Sequence, residues 1–369
     1  MKFICDKQSF IKAVNYVSNR SFNKSPMTIL EGILIEATKD KIKLTTNDLD
    51  IGIESYTTGQ IIEEGKVLVH AGTFHEIIKR LPESEITISV NENSMLEIKC
   101  EGLDYKLATL ETEDFPQIPS INVNNSIEIE QKILKQMIKQ TIFAVGNDNK
   151  TPLYTGCLFN VENGKLNIVA LDGYRLAIRK ENIETNNNFK VVIPGKTLNE
   201  VSKNLDESFE KVKIGIDNNN VIFEFDNCIV TSNTLDGEFL DYNNILSTGF
   251  ITKLLVNKNL LLNSLDRISL ISSSNQTKER KQSIFMNITI GKLEITSNST
   301  IGTAKEEIYV ETEGEECDFK YNPKYFIEAL RNIDDQEILL TFGGKNAPTT
   351  IMSTEEDSSF NYIILPLRV

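Results

Sequence analysis

KVLVHAGTFHEIIKRLPE (66–83), KVVIPGKTLNEVSKNLDE (190–207) and DFKYNPKYFIEALRNIDD (318–335) repeat one pattern, a short strand, a turn and an amphipathic helix. Phe74, Leu198 and Phe326 hold equivalent places, followed at the third position by Ile77, Val201 and Ala329 and at the seventh by Leu81, Leu205 and Ile333. Those intervals put one buried stripe on each helix. The copies stand 124 and 128 residues apart, so the repeating unit is a whole domain, beyond the 20 to 50 residues of solenoids and propellers.

Working outward, a turn and an alternating strand recur as DKIKLTTND (40–48), GKLNIVALD (164–172) and GKLEITSNS (291–299). Further upstream a strand leads into a helix in KFICDKQSFIKAVNYVSNR (2–20), SIEIEQKILKQMIKQTIFAV (126–145) and ITKLLVNKNLLLNSLDRISLI (251–271). Alternating runs close each copy. The expected fold is α+β, three tandem domains of two helices packed on antiparallel sheets. Polar, turn-rich stretches at PSINVNNS (119–126) and LSTGF (246–250) set the expected boundaries at 1–122, 123–248 and 249–369.

A chain of 369 residues has room for three such cores, and 40% hydrophobic with 25% charged content is ordinary for a folded protein. The first residues, MKFICDKQSF, lack the apolar run of a signal peptide, and no stretch approaches the roughly 20 apolar residues of a membrane span. A cytoplasmic location is expected. Five scattered cysteines, Cys5, Cys100, Cys157, Cys228 and Cys317, form no C-x-x-C pair and suggest reduced structural thiols, with no metal site.

The net charge of −14 argues against a polyanionic partner unless the basic residues are segregated, and they are. Six helix candidates (6–20, 73–80, 130–143, 196–203, 257–268 and 323–331) hold 14 Lys and Arg against six Asp and Glu. Their DNA-facing set is expected to be Lys12, Arg20, Lys79, Arg80, Lys132, Lys135, Lys139, Lys196, Lys203, Arg267, Lys324 and Arg331. Lys132, Lys135 and Lys139 fall on one face, opposite Ile133, Met137, Ile138 and Ile142. Basic helices without a readout motif imply non-specific contact with phosphates.

Catalytic chemistry finds no purchase. His70 and His75 have no partner at metal-ligand spacing, and Gly343-Gly344-Lys345 lacks the phosphate-loop pattern and reads as a hairpin turn. Neither catalytic residues nor a cofactor are expected. The segment Leu171 to Leu176, with Asp172-Gly173 as its turn, combines leucines, an aromatic and an Arg in a way that suits a peptide-binding edge. The apolar end YIILPLRV (362–369) either packs as a final strand or lines a groove.

The threefold repeat, ALDGYRLA (170–177), DGEFLDY (236–242) and YIILPLRV together resemble the bacterial DNA polymerase III β subunit family, over the whole chain. The resemblance implies clamp domains that close a ring as a head-to-tail homodimer, helices inside and sheets outside. It implies a non-catalytic processivity factor that encircles duplex DNA in the bacterial cytoplasm, at the nucleoid. Expected partners are the replicative polymerase catalytic subunit, the clamp loader complex, and repair polymerases, mismatch-repair proteins and ligase.

Residue by residue, the resemblance implies a partner-peptide groove at Leu153, Tyr154, Leu171, Gly173, Tyr174, Arg175, Leu176, Leu240, Ile245, Pro348, Ile363, Ile364, Leu365, Pro366, Leu367 and Arg368. It adds Lys24 to the DNA-facing set. For the dimer seam it implies Tyr105 and Leu107 against Leu270, Ile271 and the strand of Glu306 and Glu307, with Lys99 and Lys106 facing those glutamates. The family's usual A-T-D-G-H-R-L, F-P-D-Y and Met-Pro-Met-Arg appear here with Leu171 and Tyr174, with Leu240, and as Leu365-Pro366-Leu367-Arg368; Asn244 stands where a basic residue is common.

Overall fold

The computed structural model describes residues 1–18, 27–39, 41–118, 125–147, 151–217, 219–246, 249–272, 283–344, 347–354 and 359–367, without the side chains of Asn244 and Leu246. The expected boundaries at 122/123 and 248/249 fall on or beside residues outside this set, as do Arg20, Lys24 and Arg368.

Each repeat opens with a strand that runs straight into a helix. These first helices are α1 (Lys7–Ser18), α3 (Gln131–Ile142) and α5 (Lys258–Ser272); the second helices are α2 (Ala71–Arg80), α4 (Gly195–Asn204) and α6 (Pro323–Arg331). Local chemistry fixes their starts. The Asp6 carboxylate accepts from Ser9 N (2.9 Å), Asn257 Oδ1 from Leu260 N (3.1 Å), and Asn322 Oδ1 from Lys324 N (3.1 Å) with Pro323 in the first turn. The Ser9 bonds hold the Asp6 carboxyl below its ordinary range.

The expected stripe lies in the core in the second and third copies, where Leu198, Val201, Leu205, Phe326, Ala329 and Ile333 are all buried. In the first copy Phe74 and Leu81 are buried, but Ile78 takes the inner place and Ile77 is half-buried. Both positions border the same stripe on a 3.6-residue helix, so spacing alone does not choose between them. Aromatic contacts lock the first core, with Phe10 packed on Phe3 (5.9 Å) and edge-on to Phe74 (6.1 Å).

A recurrent contact ties the paired helices. The opening residue of each first helix reaches the segment just past the second: Lys7 pairs with Glu83, Gln131 Oε1 accepts from Asp206 N (3.0 Å), and Lys258 Nζ donates to Ile333 O (2.7 Å). In the third copy a cation meets a carbonyl past the helix C-terminus, a favourable pairing there; the first copy uses an ion pair and the second a neutral amide at the same place.

The chain forms two compact units, Met1–Lys135 with Lys196–Thr234, and Gln136–Gly195 with Leu235–Val369. The second repeat contributes to both. Thirteen strands make one hydrogen-bonded sheet in the first unit; the second has sheets of nine and four. Two strands of each repeat matter below. The turn strands are Ile51–Thr57, Arg175–Asn182 and Gly302–Tyr309; the last strands are Leu103–Leu110, Cys228–Asn233 and Phe360–Ile364. In the first unit the turn strand of repeat one pairs with the last strand of repeat two, Glu54 opposite Ile229. The second unit applies the same rule to repeats two and three, Ile178 opposite Asn361.

Candidate functional site

In the second unit, Asp172 Oδ1 accepts from Tyr174 N (2.9 Å) and Arg175 N (3.0 Å), and Gly173 takes a φ of 87°. Glycine adopts that left-handed turn without a side-chain penalty. The turn sets Leu171 opposite Leu176 in one ladder, and the next ladder sets Leu176 opposite Ile363. Three aliphatic side chains thus lie in a row across three strands, all buried. The turn strand is paired on both sides, so the feature read as a peptide-binding edge is a cleft over a completed sheet.

That cleft, about 140 Å³, is lined by Leu171, Gly173, Arg175, Leu176, Leu240, Ile245, Ile363 and Leu365. All eight were expected from the sequence. The other groove residues stand behind or beside it. Leu153 and Tyr154 are partly buried against the same core cluster, Tyr154 edge-on to Phe239 at 6.2 Å. Ile364, adjacent to Ile363 in the strand, belongs to the opposite face of the sheet, and Pro348, Pro366 and Leu367 are half-buried. The two readings of the tail both hold: it pairs as a strand through Ile364, and Leu365 then lines the cleft, its N–H bonded to Tyr174 O (2.9 Å).

Arg175 touches the cleft, yet its charge is engaged inside the unit. Nε donates to Asp172 Oδ2 (3.0 Å), one terminal nitrogen pairs with Glu328, and the other donates to Phe143 O (2.6 Å). The guanidinium also lies 4.8 Å from the Tyr325 ring, on which Tyr174 stacks at 6.2 Å. Burial and the Asp172 charge push the Tyr325 hydroxyl up from its ordinary pKa. Sequence reading missed Phe143, Tyr325 and Glu328 because Phe143 lies just past α3, Tyr325 and Glu328 lie off the apolar stripe of α6, and each meets Arg175 only through the fold. Tyr242, within DGEFLDY, is buried and its hydroxyl accepts from Asn160 Nδ2 (3.0 Å).

The basic helices divide. Lys79, Lys132, Lys139 and Lys196 are exposed. Lys135 departs from the expected solvent face: it is half-buried, with Nζ donating to Leu205 O at 2.9 Å, because Leu134 rather than Ile133 enters the core and turns the helix toward that contact. Other cations are exposed but paired. Lys12 lies 3.2 Å from Asp226, Arg80 2.8 Å from Glu76, Lys203 2.9 Å from Glu200, Lys324 3.7 Å from Glu328 and Arg331 3.0 Å from Asp266.

Along the last strand of repeat one, Leu103 to Ala108 pair, among the described strands, on one side only, with Met95–Cys100; Tyr105 is exposed and Leu107 half-buried. The turn strand of repeat three likewise pairs only with Lys292–Ser299 among the described strands. The four charges expected to meet across a seam all have partners within the chain: Lys99 and Lys106 with Glu97, Glu307 with Lys305 and Lys292, and Glu306 with Arg267 (2.8 Å). The Arg267 bond holds the Glu306 carboxyl below its ordinary range. Leu270 is exposed at the end of α5 and Ile271 half-buried beside it.

His70 caps α2, and His75 Nε2 lies 2.9 Å from Asn15 Oδ1 between α1 and α2. Four of the cysteines are buried, and burial pushes the Cys157 thiol up to about 12. Among the described residues no group of three His, Cys, Asp or Glu could hold a metal, and no helix is long and apolar enough to cross a membrane.

The DNA polymerase III beta subunit family matches the chain in three consecutive pieces, its N-terminal domain over residues 1–119, its central domain over 128–241 and its C-terminal domain over 243–368. The beta sliding clamp of Halalkalibacterium halodurans is 33% identical, with all of both chains covered. The DNA polymerase sliding clamp of Bacillus subtilis is 32% identical with a TM-score of 0.93, covering 100% of this chain and 99% of that one. A beta subunit structure from Eubacterium rectale is 39% identical, TM-score 0.93, with both chains covered in full. Three tandem domains of one fold, joined sheet to sheet, define a protein of the DNA clamp class. The chain belongs to the DNA polymerase III beta subunit family, the bacterial β sliding clamps.

Proposed function

We propose that two copies of the chain close head to tail into a ring around duplex DNA and carry the replicative polymerase along it, as a non-catalytic processivity factor without a cofactor. The single observation behind the ring is the pairing rule. A turn strand joins the last strand of the next repeat at both junctions inside the chain, leaving over the last strand of repeat one and the turn strand of repeat three. Unpaired edges are liabilities, and a second copy satisfies both.

The rule also gives a register. Following the ladders out from the strand before each first helix, Asp104, Ile229 and Asn361 are equivalent; following them from the strand before each second helix, so are Glu54, Ile178 and Lys305. Ile229 opposite Glu54 and Asn361 opposite Ile178 therefore predict Asp104 of one copy opposite Lys305 of the other, a pair of opposite charge, with Tyr105 opposite Ala304. A doubly substituted chain, Tyr105→Cys with Ala304→Cys, is expected to cross-link into a closed dimer on oxidation, since opposed residues lie within disulfide reach. Tyr105→Cys with Glu307→Cys is three residues out of register and should not. Equal cross-linking of the two would refute the register, and a monomer at micromolar concentration would refute the ring.

The exposed helix lysines supply weak phosphate contacts compatible with sliding. Retention on nicked circular DNA after loading, with rapid loss only on linearisation, is the expected behaviour; equal loss from both forms would sink the topological reading. The cleft at Leu171, Leu176 and Ile363 docks short apolar peptides from the polymerase, the clamp loader and repair proteins. Its support is a small aliphatic floor with a solvent-exposed rim. Removing Leu365 to Val369 is expected to abolish binding of polymerase-derived peptides and leave the dimer intact. The working place is the bacterial cytoplasm, on the nucleoid.

A further inference from the structure

The first unit contains a second cleft of nearly the same size, about 150 Å³, at the equivalent place in the repeat. Asn47 stands where Leu171 does, opposite Gly52 in one ladder, and Gly52 is opposite Thr231 in the next. The row Asn47–Gly52–Thr231 thus replaces Leu171–Leu176–Ile363 in the same register. An Asx turn precedes both turn strands, Asp48 Oδ1 accepting from Asp50 N (3.1 Å) and Ile51 N (2.8 Å) as Asp172 does from its own turn. The backbone of the site is therefore present twice.

The chemistry is inverted. Asn47 Nδ2 donates to Pro116 O (3.1 Å) and its Oδ1 accepts from Leu49 N (2.8 Å), so the amide staples the connecting segment over the row. Ile118 of that segment lies over Gly52, where an added Cβ would come within 2.5 Å of its Cδ1. In the second unit Leu176 fills the equivalent place from below, leaving Leu240 and Ile245 as walls. A leucine entering the first cleft would have to displace Ile118 and strip water or hydrogen bonds from an amide and a hydroxyl, a cost the apolar row does not impose.

We infer that these three row positions, together with Ile118, decide which of two like-shaped clefts takes the peptide. The inference rests on the docking reading above: the row Leu171–Leu176–Ile363 confers specificity, and the first cleft, polar in its row and crowded by Ile118 at Gly52, does not take the same ligand. Each chain accordingly has one peptide site and each ring two, although the backbone offers twice that number.

The probe is the tightest-binding peptide from a tiled set spanning the replicative polymerase. On the unsubstituted chain, titration calorimetry should give one peptide per chain, and hydrogen exchange at saturation should slow at 171–176 and 360–364 but not at 47–52 or 231–233. Protection at both clefts, or two peptides per chain, overturns the inference; no peptide binding at all, or protection elsewhere alone, overturns the docking reading itself. The constructive test is Asn47→Leu, Gly52→Leu and Thr231→Ile combined with Ile118→Ala. It should raise the stoichiometry to two, with the new site within about tenfold of the native affinity. A folded variant that stays at one peptide per chain refutes the assignment of specificity to the row. If that variant does not fold, the exchange pattern of the unsubstituted chain decides.

Discussion

Arg175 and Arg179 in the second unit differ from Arg80, Arg267 and Arg331 on the helices in one respect that sets all else: the first two are buried and the other three mostly exposed. Around Arg179, Nε donates to Gln140 Oε1 (2.8 Å) and a terminal nitrogen to Ser359 O (3.0 Å), while Arg175 is bonded at every nitrogen. The helix arginines each hold one carboxylate in water. Residue type alone does not separate an arginine that fixes a fold from one that meets a polyanion; burial does. A buried cation cannot be withdrawn without stranding its partners, whereas an exposed pair can reopen when a phosphate arrives.

The largest test of this contrast is Arg175→Met. It keeps most of the side-chain length but leaves Asp172 without its cation, Glu328 with Lys324 alone and Phe143 O without its donor. The expected loss is about 3–5 kcal/mol, the usual result of breaking one side of a buried pair. Native-state hydrogen exchange on the strand Arg175–Asn182 would register it as faster opening of that region. An effect below about 1 kcal/mol would place Arg175 with the helix cations. Next comes Leu176→Ala, which removes the middle of the apolar row; a cost of about 2–4 kcal/mol is expected on the same exchange measurement, with peptide binding abolished as well.

Asp226 occupies a middle ground in the first unit. Burial would raise its pKa, but hydrogen bonds from Tyr16 (2.9 Å), Lys12 (3.2 Å) and Gln131 (3.2 Å) outweigh that and hold it below the ordinary value. A carboxylate depressed in the folded state adds stability above its unfolded pKa of about 3.9 and loses it as pH falls through the folded value. Asp226→Asn should therefore cost about 1 kcal/mol at neutral pH and flatten the acid limb of the stability curve. An unchanged acid limb would show Asp226 to be merely a surface charge.

Much of this architecture was legible in the sequence because the repeat supplies three readings of each element. The stripe read at Ile77, Val201 and Ala329 holds in the second and third copies, while in the first Ile78 takes the inner place. Six of the eight cleft residues were legible from the turn chemistry of Asp172-Gly173 and the apolar tail; Leu240 and Ile245 came through the family likeness alone. What escaped depends on pairs far apart in sequence. Lys135 looks like any surface lysine until Leu205 O comes within 2.9 Å, and nothing local in Tyr325 or Glu328 announces Arg175. Charge counting found the helices basic, but Asp226, Asp206 and Glu306, which temper Lys12 and Arg267, lie outside the helices.

The smallest effects belong to the exposed cations, and they sharpen the contrast by acting on DNA instead of the fold. Lys132→Glu with Lys139→Glu should leave stability within about 0.5 kcal/mol, since surface substitutions rarely do more. Retention on circular DNA should weaken, more at low salt than at high, with the logarithmic salt slope falling by about one for each phosphate no longer neutralised. Lys135→Met is the discriminating control. Its ammonium is committed to Leu205 O at the end of α4, so the expected cost is about 1 kcal/mol of stability with little change in the salt slope. If instead Lys135→Met changed the slope as much as either exposed lysine while leaving stability alone, the carbonyl contact would not hold in solution. The sequence view of three equivalent lysines on one open face would then stand.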